Sequence, residues 1–75
     1  MYKYLTVCER LFREDIGAYS SYGIISVREE DATIVRKISD VSTERDFVMA
    51  LAESFTEINL EPQRLLEAVR LAIDN

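Results

Sequence analysis

The sequence predicts an α+β fold: a three-stranded antiparallel β-meander followed by two helices packed on one sheet face, in the order βββαα. Three observations point to it. Residues 2–38 mix β-branched, aromatic and polar side chains and are interrupted twice by turn-type clusters. From Phe47 onward, apolar residues recur at helical spacing, with one break at Asn59-Leu60-Glu61. Neither helical stripe is stable in water alone, and together they match one face of a small sheet.

The first strand is predicted from Tyr2 to Phe12 and the second from Tyr19 to Arg28, around Tyr22-Gly23-Ile24-Ile25-Ser26-Val27. A third, shorter run covers Thr33 to Ile38. Glu14-Asp15-Ile16-Gly17 and Glu29-Glu30-Asp31 supply the turns. A three-residue loop at Asp15-Ile16-Gly17, with Gly17 left-handed in a G1 bulge, sets Glu14 opposite Ala18, Val7 opposite Ile25 and Leu5 opposite Val27. A hairpin centred on Glu30-Asp31 pairs Val27 with Ile34, Ile25 with Arg36 and Gly23 with Ile38. Both counts put Leu5, Val7, Ile25, Val27, Ile34 and Ile38 on one face, which is predicted to meet the helices.

Asp40-Val41-Ser42-Thr43 is a helix start signal, with Ser42 as N-cap and Glu44 and Asp46 in the positive first turn. Phe47, Val48, Leu51, Phe55 and Ile58 form the first stripe. Pro62 suits the opening of a second helix, whose stripe is Leu65, Leu66, Val69, Ala72 and Ile73. The chain of 75 residues is therefore a single domain, 1–75, with the meander at 1–38 and a helical hairpin at 42–74. A chain this short buries only about 60% of its extended surface, so its stability is marginal.

Nine Lys and Arg stand against fourteen Asp and Glu, and the net charge is −5. Residues 1–38 are neutral overall; the whole deficit lies in residues 39–75. Phosphate backbones repel such a surface. With no His and one Cys, the chain lacks the usual nitrogen and sulfur zinc ligands, any Ser-His or Cys-His nucleophilic pair, and an internal disulfide. No apolar run approaches the ~18 residues needed to span a bilayer. Met1-Tyr2-Lys3-Tyr4 lacks the apolar stretch of a signal peptide, so a cytoplasmic protein is predicted. No cofactor, metal or small-molecule substrate is implied.

Several residues carry a resemblance. Tyr22-Gly23-Ile24, then Ile38-Ser39-Asp40-Val41-Ser42 running to Arg45 and Val48, then Leu60-Glu61-Pro62 before Leu65 and Val69, resemble a family of very small proteins of unknown function from anaerobic Gram-positive bacteria. The resemblance covers most of the chain through short motifs. Glu61 departs from it, standing where the family places Ser before the proline. It implies a common small fold and supplies no catalytic residue, substrate or partner.

The sheet face opposite the predicted core carries Tyr2, Tyr4, Thr6, Cys8, Arg10, Phe12, Tyr22, Ile24, Arg28, Val35 and Lys37. Tyr and Arg are enriched at interfaces, so Tyr2, Tyr4, Arg10, Tyr22, Ile24 and Arg28 are the candidate interface. Against this stands the simple β-propensity of Tyr, or a covering segment. Cys8 reads as a small buried filler rather than a reactive thiol, since Arg10 is its one evident activator. Glu29-Glu30-Asp31 reads as a solvated tip, lacking the alternating ligands and Gly of a calcium loop. Arg36, odd within the predicted core, is expected at the sheet edge or paired with Glu53 or Glu57. The predicted function is a non-enzymatic interaction module that self-associates through its sheet, as a homodimer, or binds another protein. The alternative is a small nucleic-acid-linked regulator reading a groove with Gln63, Arg64, Glu67 and Arg70; it lacks the third helix and basic surround such a device rests on.

Overall fold

The computed structural model describes residues 1–74. Three strands, β1 (Tyr2–Arg13), β2 (Gly17–Arg28) and β3 (Thr33–Ser42), are followed by α1 (Arg45–Glu57), a 3-10 turn at Pro62–Arg64 and α2 (Leu65–Asp74). The strands form one antiparallel sheet in the order β1-β2-β3, so the fold is the α+β, βββαα arrangement the sequence predicts.

β1 and β2 pair without interruption, from Tyr2 opposite Arg28 to Arg13 opposite Gly17. The Ile16 N–H donates to the Arg13 carbonyl across the turn at 3.3 Å. Gly17 has a φ of 78°, the left-handed conformation that costs a residue without Cβ little. The register is displaced by two from the predicted one: Leu5 meets Ile25 and Val7 meets Gly23. An even slip preserves parity, so the side chains grouped on each face of this hairpin are those expected.

The second hairpin keeps parity only at its tip. Val27 lies opposite Ile34 as predicted, but Ser26 lies opposite Arg36, so Val35 is an extra residue, a β-bulge. Beyond it Arg36, Lys37 and Ile38 change face: Ile24 meets Ile38, and Ile25 meets Lys37. A second irregularity separates Tyr22, opposite Ser42, from Ile24. Asp40 sits there with a φ of 55°.

Tyr4, Ile24 and Val41 of the sheet, Val48, Ala52 and Phe55 of α1, and Leu65 and Val69 of α2 make the core. This reverses the predicted faces. Of Leu5, Val7, Ile25, Val27, Ile34 and Ile38, only Ile38 packs against the core, carried there by the bulge. The helices cover the tyrosine side instead. Parity groups side chains but does not say which group is covered, and tyrosine suits burial when its hydroxyl has a partner. Tyr4 has one: its O–H donates to the Leu60 carbonyl at 2.5 Å. Its ring meets Phe55 edge to face, with centroids 5.8 Å apart.

α1 begins at Arg45 with Glu44 in the cap position and no side-chain cap bond. Ser42, the predicted cap, instead ends β3, and its Oγ accepts the Glu44 N–H at 3.0 Å. Pro62 opens the 3-10 turn and is buried.

Candidate interaction surfaces

Antiparallel pairing points alternate residues of an edge strand inward to the ladder and outward to solvent. In β1 the even residues point outward. The Tyr2 N–H donates to Asn59 Oδ1 at 3.0 Å, and the Tyr4 N–H to Thr56 Oγ1 at 2.9 Å. Thr56 in turn donates to the Ala52 carbonyl one turn earlier at 2.9 Å. The C-terminal end of α1 and the loop after it therefore seal the first outward positions of β1. Among the described residues, the next outward positions, Thr6, Cys8, Arg10 and Phe12, meet no such partner.

Beyond that sealed corner a groove of about 750 Å³ lies between β1 and α1, walled by Thr6 and Cys8 on one side and Met49, Ala52 and Glu53 on the other, with Tyr22 also lining it. Thr6 Oγ1 is shielded from solvent and has no hydrogen-bond partner among the described residues. Cys8 is exposed, which corrects its reading as a buried filler.

The candidate interface residues fall on one face as expected, but that face lies beneath the helices. Tyr4 and Ile24 are buried, at 3% and 0% exposure, and Tyr2 and Tyr22 are half-buried against the core. These four are packing residues. Arg28 is exposed and clamps Asp31 through two hydrogen bonds of 3.1 and 3.0 Å. Asp31 also accepts the Thr33 N–H at 3.1 Å. Arg28 first, and Thr33 with it, hold the Asp31 carboxyl well below the usual range, at about 2. Arg10 is exposed too, and unlike Arg28 it makes no ion pair among the described residues.

The uncovered face is the aliphatic one. Leu5 and Ile34 are 40% and 60% exposed, and Val7, Ile25 and Val27 lie between them, half-buried. A polar strut crosses this face. The Glu9 carboxylate reaches over Gly23, accepting the Asp40 N–H at 3.3 Å and the Ser39 hydroxyl at 3.2 Å, with Lys37 Nζ 3.5 Å away. Asp40 in turn accepts Ser21 Oγ–H at 2.6 Å and the Tyr19 phenol at 3.1 Å. Burial, then the Asp40 bond, raise the Tyr19 pKa. Every member of this network is internally paired, so its role is to fasten the irregular end of β3.

Arg36, turned to the helix side by the bulge, is exposed beside Tyr2, Asn59 and Pro62, away from the groove that Glu53 and Glu57 line. Gln63, Arg64, Glu67 and Arg70 are all exposed, the first two in the 3-10 turn. Among the described residues no three His, Cys, Asp or Glu side chains could hold one metal ion, and no helix is long and apolar enough to cross a membrane. Sequence reasoning missed both the aliphatic face as an open surface and the groove. The length of the first hairpin, with only two short helices to cover it, was the available signal. Comparison with protein-family models, with curated proteins and with solved structures returns no match for the chain.

Proposed function

We propose that this protein is a non-enzymatic interaction module that self-associates through its sheet. The observation that carries this reading is a sheet layered by helices on one face only, leaving the aliphatic side of Leu5, Val7, Ile25, Val27 and Ile34 in water. Exposed contiguous apolar surface on a small chain marks a contact surface. Charge favours a second copy as the occupant. The chain carries −5, but the open face holds Lys3, Arg13 and Lys37 against Glu9 and Asp40, so this face does not share the acidic excess of the chain. One unpaired cysteine is compatible with a reducing compartment, and the cytoplasm is the proposed location. The kinship with very small Gram-positive proteins, carried by Tyr22-Gly23-Ile24 and Leu60-Glu61-Pro62, belongs to the same proposal.

Light scattering from about 1 to several hundred micromolar tests it, the range in which modest interfaces assemble. A reversible rise from one chain's mass to two is expected. One chain's mass throughout overturns the reading.

A further inference from the structure

We propose that the outer edge of β1 pairs antiparallel with β1 of a second copy about a two-fold axis at Glu9, joining two sheets into one of six strands. This rests on the self-association reading and moves the contact from the open face to the adjoining edge of the same sheet. The limits of the pairing are set by residues already described. On one side it stops at Thr6, because Thr56 occupies the outward amide of Tyr4. On the other it stops at Phe12, the last outward residue before the turn. A strand whose free run is 6–12 pairs with itself along its whole length only when Thr6 faces Phe12 and Cys8 faces Arg10, which puts the axis at Glu9; the two Glu9 residues then lie opposite one another, each carboxylate drawn back over Gly23 by the Asp40 N–H and Lys37. Each of these pairs then exchanges both of its backbone hydrogen bonds, completing amides and carbonyls that the single chain leaves outward.

Three features fit this partner. First, the hairpin is twelve residues long on each strand, and its helix-side positions beyond the helices, Arg10, Phe12, Ala18 and Ser20, are all exposed. The two-fold axis lays this bare half of each sheet beside α1 of the other copy. Second, Phe12 is 73% exposed and projects on the helix side. Opposite Thr6 of the second copy it enters the groove over Ala52 and Met49, while Arg10, free of any ion pair among the described residues, arrives beside Cys8 near Glu53. Third, β1 is the regular edge. β3 is interrupted at Val35 and again before Ser42, and bulged edges resist strand addition.

Cys8 supplies the probe. In this register the two Cys8 residues are diagonal neighbours across the new strand pair, about 7–8 Å apart. A bis-maleimide of about 8 Å span is expected to convert the dimer to a covalent one, and Cys8→Ser is expected to abolish the crosslink. Arg10→Pro removes an outward amide that the single chain does not use, so circular dichroism stays native while dimerisation weakens at least tenfold. Phe12→Ser, at an exposed site, is expected to weaken it likewise. Ile34→Glu on the open face is expected to leave it unchanged. A dimer that resists the crosslinker, survives Arg10→Pro and Phe12→Ser, and is lost in Ile34→Glu overturns the edge pairing while the self-association reading stands. A single-chain mass at every concentration overturns both.

Discussion

Tyr4 concentrates more of the fold's chemistry than any other side chain. Its amide meets Thr56, its ring meets Phe55 and its hydroxyl meets the Leu60 carbonyl, so one residue ties β1 to both ends of the loop after α1. Burial raises the phenol's pKa, which keeps it a donor. Tyr4→Phe leaves the ring in place and the Leu60 carbonyl without that donor. The expected loss is about 1–3 kcal/mol by urea denaturation, the usual cost of an unsatisfied buried group. Gly23 is constrained by space. A Cβ there would stand 2.5 Å from the Ile38 carbonyl oxygen and 2.8 Å from Glu9 Oε1. The first is backbone and cannot swing away, so Gly23→Ala is expected to cost about 1–3 kcal/mol, the range for overpacking, and to loosen the Glu9 strut. Asp31 titrates differently in the folded and unfolded chain. Its folded pKa of about 2 lies below the ordinary 3.8, so the Arg28 clamp is fully present above about pH 4 and is lost as pH falls toward 2. A carboxyl carbon titration followed by NMR is expected to give a midpoint near 2; a midpoint near 3.8 would remove the clamp.

At the scale of elements, the strands and helices were legible because residue type and period agree locally. β-branched and aromatic runs ended by Gly17 and by Glu29-Glu30-Asp31 define the meander, and Phe47 to Phe55 repeats at helical spacing. The covered face was not legible. Both sides of the β1–β2 hairpin carry apolar side chains, and the partner that satisfies the buried Tyr4 hydroxyl, the Leu60 carbonyl, lies far along the chain. Nor was the bulge at Val35 legible, since Thr33-Ile34-Val35 reads as unbroken strand; that one extra residue brought Ile38 against the core and turned Arg36 to the helix side, beside Asn59 and Pro62. Ala52 was passed over because a methyl adds little to a hydrophobic stripe, yet its small size lets α1 approach the sheet. The face that the helices leave open is therefore the reverse of the one expected. The bulge also sets β1 apart as the regular edge. Hydrogen exchange in dilute solution is expected to be fast at Thr6, Cys8, Arg10 and Phe12 and slow at the inward amides of Leu5 and Val7, and concentration is expected to protect the first set.

For the molecule as a whole, the long first hairpin outreaches the two helices that cover it, and the result is a chain half layered and half bare. That imbalance is what the proposed second copy would complement. It also bears on the order in which the chain comes together. The outward amides of Tyr2 and Tyr4 are satisfied by Asn59 and Thr56, and the Tyr4 phenol by Leu60, contacts separated by 52 to 57 positions. At about 5–20 residues per second, a ribosome needs several seconds to deliver the second member of each pair after the first. Throughout that interval the nascent hairpin has its whole outer rim open, including the corner that the mature protein keeps closed, and this vectorial delay, rather than any property of the finished fold, is when the chain is most exposed to wrong strand partners.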